Sequence, residues 1–529
     1  MWDGLSQTNT LKVLSLRTIG TNDSSILQGI CNLKNLHDLD LSWNEFNGFI
    51  PMCFSNLTYL RFLNLSYNHF SRNIPAALIT PLVHLEYISL SGNIFGGSFS
   101  FGSLANHSRL QVFKVVSLNN DLQVDTEDLA LPPPFQLKVL YLSGCSLNNR
   151  TQRTPSFLLH QKEIYVLDLS SNKLVGEIPT WLQENNTQLQ SLNLQDNSFM
   201  GNIPQSLGNL TEIWSIDLSY NRLSGEVPEE IATGCSSLMN LVLSYNNLDG
   251  NFPSTFMNIS NLYILYLDSN YFTGRISYAL SPSVSVRYLD FSYNGFQGRI
   301  PSLIGNCSSL ISLDMPANLL EGSLLDAICK LSQLEFLDLS KNQLIGHLPA
   351  CSQLTSFKFL HLHHNMISGS ILTMLSGSFN LRTLNLRNNK LSGGIPRFTD
   401  KLKKLRVLLL RGNELQGHIP LHLCQLQKQT IMDLSQNKFS GPLPSCFSNI
   451  SFGRGQFDTD AFLTNGELVT KGDSMGYNKS NSLGIEEYMF DILLDSPVEE
   501  EVDFTTKSRA ERYAGNILNF MSRLDLSCN

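Results

Sequence analysis

The chain has 529 residues, of which 42% are hydrophobic and 16% charged, with a formal net charge of −8 and a pI near 5.8. One globular core rarely grows beyond about 250–300 residues, so several domains or an elongated array is expected. A mildly acidic chain without a long Lys/Arg run argues against a nucleic-acid partner. No stretch reaches the roughly eighteen apolar residues of a membrane span, and the opening MWDGLSQTNTLKVLSL lacks the basic-then-apolar order of a secretion signal.

The phrase L-x-x-L-x-L-x-x-N governs the chain in order. A weak copy opens it at Leu11, Leu14 and Leu16. Clear copies close at Asn44, Asn68 and Asn93, then at Asn172 and every 23 to 25 residues to Asn437. The gap from Asn93 to Asn172 holds two degenerate copies, one near Leu118 and one with Cys145 in the asparagine slot. This predicts about eighteen units over residues 1–449, degenerate at 1–30 and 100–160. Leu at the fourth and sixth places has the period of a short strand with one buried face. So short a unit cannot bury that face alone, and stacking on its neighbours completes it. The asparagine carboxamide is expected to bond the backbone of the adjoining coil. The Phe or Leu two residues later (Phe46, Phe70, Phe272, Leu344) is expected to form an inner spine.

Most units continue N-x-[LF]-x-G-x-[ILV]-P, as in Asn172–Pro179, Asn221–Pro228, Asn389–Pro396 and Asn413–Pro420. These units resemble the plant-specific subtype of the leucine-rich repeat. The resemblance implies an α/β solenoid, right-handed, with a parallel sheet on its concave face and a 3-10 or irregular convex side. Arg72 stands in the glycine slot, and Ser277 and Leu372 in the proline slot. Local irregularity is expected at these three.

After Asn437 the rhythm stops and returns as MSRLDLSCN, Met521–Asn529. Residues 450–516 form an insertion carrying FGRGQF and the acidic run Glu499–Glu501, and 517–529 begin a further repeat. Together with TTK-x-R-x-x-x-Y-x-G-x-I-L ahead of LDLS-x-N, this resembles the island segment of plant receptor-like proteins. Those are cell-surface proteins with a repeat ectodomain, one membrane helix and no kinase. The resemblance implies a peptide or pathogen-derived protein as ligand and receptor kinases as signalling partners. The island and the repeats after it, Val502–Asn529 here, are where the family would dock such a partner. It places the full-length protein at the plasma membrane, extracellular side, anchored through a helix absent from this chain. The chain accordingly reads as a fragment of a larger receptor, neither an enzyme nor dependent on a cofactor. A secreted inhibitor like the polygalacturonase-inhibiting proteins is the alternative, although those have about ten repeats and no island. A receptor-kinase fragment is a third.

Three cysteine pairs, Cys31/Cys53, Cys329/Cys351 and Cys424/Cys446, share a spacing of 22 residues. That places both members at nearly equivalent points on successive coils, within disulfide reach; bridged and buried reduced forms both remain open. N-x-[ST] occurs at Asn22, Asn56, Asn64, Asn106, Asn149, Asn185, Asn209, Asn258, Asn306, Asn449 and Asn478. With the cysteine pairs these favour an extracellular setting. Asn64 falls on a strand, where a glycan would cover part of the concave face.

Ligand recognition is expected on the outward positions of the strands. Position seven is normally Ser, as at Ser170, Ser219, Ser292 and Ser340, but reads His363, Arg387 and Arg411 in three consecutive units. Arg382 and Arg406 lie at position two, and His361 and His364 flank His363. Guanidinium pairs suit carboxylate, sulfate or phosphate. This column is expected to engage an acidic group of a ligand, such as a peptide terminus; a solvated basic face or a contact to the island is the alternative. Tyr263 and Tyr266, with Trp43, Tyr67, Tyr220, Tyr245, Tyr288 and Tyr293, offer aromatic contact area, or simply stack along the sheet. His361-x-His363-His364 lacks a carboxylate or cysteine to complete a metal site, and no nucleophile–base–acid constellation is present.

Overall fold

Leu39 and Leu41, Leu63 and Leu65, and Leu384 and Leu386 are buried to within 1% of completely, and the residue between each pair faces the other way. That alternation makes the phrase a strand. In this computed structural model it forms three-residue rungs such as Phe62–Asn64 and Thr383–Asn385. In the two degenerate copies the rungs lengthen to five residues, Val112–Val116 and Val139–Ser143. The structure describes residues 10–276, 285–324, 326–349, 351, 354–371, 375, 377–426, 428–449, 501–506, 509–514 and 523–529.

The chain divides into two units, Met1–Leu248 and Asp249–Asn529. In the first, ten rungs from Val13–Ser15 to Asn240–Val242 pair in parallel and in register. In the second, nine do so among the described residues, from Ile264–Tyr266 through Ile431–Asp433 to Arg523–Asp525. Each unit is thus a solenoid of stacked coils. Ile431 pairs with Arg523, so the chain resumes its rhythm on the next rung after the insertion. Within the insertion Glu501–Thr506 and Arg509–Ala514 form an antiparallel hairpin; FGRGQF, Glu499 and Glu500 lie outside the described residues.

The asparagines tie the coils together. Asn68 donates through Nδ2 to Leu41 O of the preceding coil at 2.9 Å and to Leu65 O of its own at 3.2 Å, while its Oδ1 accepts from Phe46 N at 3.1 Å. Asn389 repeats the pattern with Leu362 O, Leu386 O and Ile367 N. These bonds hold a turn in which the residue before the asparagine is left-handed whatever its type: Trp43 (φ 57°), Tyr220 (52°), Lys341 (54°) and Asn388 (51°). Such a backbone costs an L-residue roughly 1–2 kcal/mol, and the carboxamide bonds of each coil offset it. The inner spine is continuous where aromatic, with Phe46, Phe70 and Phe95 stacked at 6.2 and 6.5 Å and Phe272 on Phe296 at 6.1 Å.

A second, narrower row of strands follows the turn in each unit, as at Arg222–Gly225 and Gln343–His347. Its glycine is left-handed (Gly225, φ 76°). Arg72 adopts the same conformation (φ 67°) and keeps its pairing with Phe95, so the irregularity expected there is absent. Its guanidinium lies 4.8 Å from the Phe49 ring centroid. Ser277 and Leu372 lie outside the described residues. The prolines do more than end a strand: Pro51, Pro204, Pro228 and Pro301 cap the short convex helices, with φ between −60° and −67°, the value their ring imposes.

Cys31–Cys53, Cys329–Cys351 and Cys424–Cys446 are disulfide-bonded across successive coils, with Cα separations of 5.5, 5.1 and 5.9 Å. Cys145, Cys235 and Cys307 are buried thiols; burial raises the pKa of all three, Cys235 to about 12 and Cys307 to about 11.

Candidate ligand-binding face

Position seven owes its serine to the residue two places earlier. Ser170, Ser219, Ser292 and Ser435 each donate N–H and Oγ–H to the carboxylate of Asp168, Asp217, Asp290 and Asp433. Ser340 N donates to Asp338 Oδ1 at 2.8 Å. The Asp-x-Ser pair closes a local side-chain turn and is the resting state of the face. Rungs 359–361, 383–385 and 407–409 break both halves of it at once. They read His361-x-His363, Asn385-x-Arg387 and Leu409-x-Arg411.

The register places these rungs side by side, Phe359 on Thr383, Leu360 on Leu384, and Thr383 on Val407. His361, His363, Arg387 and Arg411 therefore come together as one patch. It differs from the solvated basic face that the sequence left open as an alternative. His361 (1% exposed), His363 (6%) and Arg387 (3%) are buried, and only Arg411 is half-exposed. His361 stacks on the Phe336 ring at 5.7 Å, and His363 meets His361 and His364 edge-on at 6.2 and 5.3 Å. Arg387 Nε donates to Asn385 Oδ1 at 3.2 Å, and Arg411 Nε to Gln436 Oε1 at 3.3 Å. Asn388 and His364 are hydrogen-bonded at 2.9 Å.

Burial drives the His363 imidazole far below its ordinary value, and the nearby His361, Arg387, His364 and Lys341 push it the same way. His363 is thus neutral, and adds hydrogen-bonding capacity without charge. Arg387 and Arg411 carry the positive charge of the patch. Arg382 and Arg406 are half-buried at the entrances to their strands, a flanking row in which Lys358 is bound to Glu335 at 2.6 Å.

Position five carries a feature that sequence reasoning passed over. Asp290, Asp314 and Asp338 lie in register on adjacent rungs, with His361 next. Loss of solvent raises Asp290 to about 7, helped by repulsion from Asp268. The same two causes, burial and then the Asp290 charge, raise Asp314 well above the usual carboxylate range. The second unit thus presents a carboxylate column that gives way to a guanidinium patch. The recurring L-x-L-D-x-S wording was the available signal.

The aromatic candidates separate. Trp43 stacks on Tyr67 at 4.1 Å and Tyr220 on Tyr245 at 4.3 Å, as neighbours along the sheet. Tyr263 lies under the Arg287 guanidinium at 5.2 Å and against Tyr288 at 5.8 Å. Tyr266 is half-buried on the rung beside Asp290. Neither tyrosine belongs to the arginine patch.

Among the sequons, Asn22, Asn56, Asn106, Asn149, Asn209 and Asn258 are exposed, while Asn185 and Asn306 are half-buried. Asn64 differs from the expectation: it is buried, and its Oδ1 accepts the N–H and Oγ–H of Ser66 as an aspartate would. A side chain so engaged does not present a glycan on the sheet. The Asn449 side chain and Asn478 lie outside the described residues. Among those residues no three His, Cys, Asp or Glu side chains converge as metal ligands would, and no helix is long and apolar enough to cross a membrane.

Comparison with known proteins agrees with this geometry. The Leucine Rich Repeat family matches at 35–57, 59–80, 163–185, 188–210, 212–233, 333–354, 380–402, 404–426 and 430–450, and its multi-repeat form at 236–296. The chain is 45% identical over 170 residues to Receptor-like protein 1 of Arabidopsis thaliana, covering 32% of the chain and 15% of that protein. To Cuscuta receptor 1 of Solanum lycopersicum it is 35% identical over 198 residues, 37% and 17% of the two. The aligned stretch is thus about a sixth of each of these relatives. Among solved structures, the Arabidopsis receptor kinase HAESA, in complex with the peptide hormone IDA and the co-receptor SERK1, superposes with a TM-score of 0.73 at 30% identity, over 83% of this chain and 72% of that one. A TDR receptor superposes with a TM-score of 0.71 at 25% identity, over 85% and 84%. Parallel rungs, asparagine ladder and these likenesses together establish that the chain belongs to the leucine-rich-repeat family and is built like the repeat ectodomains of plant receptors.

Proposed function

We propose that this chain is the ligand-recognising part of a plant cell-surface receptor-like protein, and that Arg387 and Arg411 engage an acidic group of a peptide or protein ligand. One observation carries the reading: three consecutive rungs abandon the Asp-x-Ser pair together and bring two guanidinium groups onto adjacent strands. Nothing in the frame requires the change, since the leucines and asparagines of those rungs are the standard ones. Two guanidinium groups side by side repel unless an anion lies between them. The peptide-hormone complexes of similar receptors support a peptide as ligand. The receptor-like relatives support a longer protein at the plasma membrane that signals through partner receptor kinases.

The test selects a random decapeptide library on the wild-type chain. The binder recovered is then measured on the R387A/R411A double variant by fluorescence anisotropy. An acidic peptide should be recovered, and the double variant should bind it at least tenfold more weakly while keeping its far-ultraviolet dichroism and melting profile. Equal affinity in the double variant refutes the role of the arginines.

A further inference from the structure

A second charged surface lies away from the sheet face, on the flank where each coil leads from its convex helix into its strand. Between Lys358 and Lys428 the sequence holds eleven Lys or Arg against two carboxylates, Asp400 and Glu414, although the whole chain is acidic. Glu414 opens the narrow strand Glu414–Gly417, where Lys438 binds it at 3.1 Å. Lys358, Arg382 and Arg406 follow one another on adjacent rungs, Arg382 N donating to Lys358 O at 2.7 Å and Arg406 N to Arg382 O at 2.8 Å. Lys401, Lys403, Lys404 and Lys428 stand exposed beside them, and Lys404 Nζ reaches Asn380 Oδ1 of the preceding coil at 2.9 Å.

The same flank is where the sequons gather. Asn56, Asn185, Asn209, Asn258 and Asn306 each close a short convex helix ahead of the next rung, and Asn449 closes Ser445–Asn449 in the same way. In the five units that end at Asn342, Asn365, Asn389, Asn413 and Asn437 that slot holds no sequon. The helices there close on Lys330, Lys401 and Gln425 instead. The longest run of units without a glycan acceptor in this slot is thus the run that carries the cations.

A protein partner fits this surface poorly. Protein interfaces centre on apolar and aromatic side chains and are depleted in lysine. From Phe379 to Lys428, only Phe379 and Leu421 expose a large apolar side chain among the described residues. A single small anion would meet two or three of the cations at most. Rungs stack about 4.8 Å apart, so the four from Lys358 to Lys428 present charge along roughly 14 Å, a length that suits a polymer charged at every unit. The disulfides Cys329–Cys351 and Cys424–Cys446 bracket the stretch and belong to an oxidising, extracellular compartment. A linear polyanion met there is an acidic polysaccharide rather than a nucleic acid.

We propose that the flank from Lys358 to Lys428 binds a linear polysaccharide carrying a carboxylate on each sugar, laid across the coils. The outward strand face is left to the ligand proposed above, and the two readings share only the extracellular setting.

The probe is immobilised polygalacturonate, with binding of the whole chain followed by biolayer interferometry. Wild type should bind it, and at least tenfold more weakly once the carboxylates are methyl-esterified. Raising NaCl from about 50 to 200 mM should also weaken binding about tenfold, because cations that release counterions from a polyanion make affinity salt-dependent. K401Q/K403Q/K404Q/K428Q should lose at least tenfold with unaltered melting and unaltered affinity for the selected decapeptide. R387A/R411A should keep polygalacturonate and lose the decapeptide. Wild-type affinity in the quadruple variant, or equal binding of the methyl ester, overturns the inference. A tenfold loss of polygalacturonate in R387A/R411A moves the site to the strand face and overturns it as well. So does equal binding of poly-L-glutamate of the same length, which marks the flank as a site for acidic protein segments. The insertion holds such a segment by sequence, residues 486–503, and E486Q/E487Q/E499Q/E500Q probes it. A tenfold gain in polygalacturonate affinity there means that the chain's own carboxylates occupy the flank, and overturns the inference too.

Discussion

Arg387 donates through its side chain to Asn385 across the same two positions at which the Ser435 hydroxyl donates to Asp433. The local turn survives while its chemistry is inverted, from a carboxylate held by a hydroxyl to a guanidinium held by a carboxamide. Restoring the default should therefore be harmless to the frame. N385D/R387S is expected to melt at or above the wild-type temperature and to bind the selected acidic decapeptide at least tenfold more weakly. Melting curves and anisotropy on one preparation check both halves.

The asparagine ladder sets a large local penalty. Asn318 donates to Phe291 O and Met315 O, and accepts from Phe296 N. Asn318→Ala removes these bonds in a buried site and leaves the Phe296 N–H unpaired, while Phe291 O and Met315 O each fall back on one donor, Asn294 and Asn342. A loss of about 2–3 kcal/mol is expected, from roughly 1–3 kcal/mol per unsatisfied buried group. Urea unfolding followed by the fluorescence of probes in the second unit measures it.

His107 makes the first unit acid-sensitive. Its ring is buried against Ile79 O at 3.2 Å, and desolvation lowers its pKa below 6.5. The unfolded chain then binds the proton more readily. The stability contributed by the neutral ring is complete above about pH 6.5 and is lost as pH falls through the lowered value. Gln161, three residues before its phrase as His107 is, bridges coils through Leu137 N and Phe135 O without titrating. H107Q should therefore flatten the melting temperature between pH 4.5 and 6.5 relative to wild type.

The carboxylate column has the opposite sign. Asp290 is raised from 3.8 to about 7, so the folded state holds the proton that the unfolded chain releases. The stability it contributes is present below about pH 3.8 and lost as pH rises through 7. D290N should stabilise the chain at pH 8 and have little effect at pH 4. Relief of like charges on neighbouring strands gives up to about 1 kcal/mol. Asn64, which accepts from Ser66 as aspartates do elsewhere, shows that asparagine fits the turn.

Periodicity made the frame legible because every leucine and asparagine repeats the same task. The two degenerate copies could be placed from Leu118 and Cys145 because the frame on either side fixes where a rung must fall. The face was harder to read. A period of two assigns Arg387 and His363 to the outward side, but does not say that neighbouring rungs bury them. Tyr220 and Tyr245 read as aromatic contacts, whereas their left-handed backbone and mutual stacking come from a turn that usually advertises itself by glycine. The Asp-x-Ser pair was visible as a default serine, and its reason required the hydrogen bonds.

Each asparagine speaks only to main-chain atoms, of its own coil and of the one before. The framework is consequently blind to what the outward positions carry. A rung can exchange aspartate and serine for asparagine and arginine without a compensating change in the next, so new specificities can be written one rung at a time on a support that never has to be redesigned.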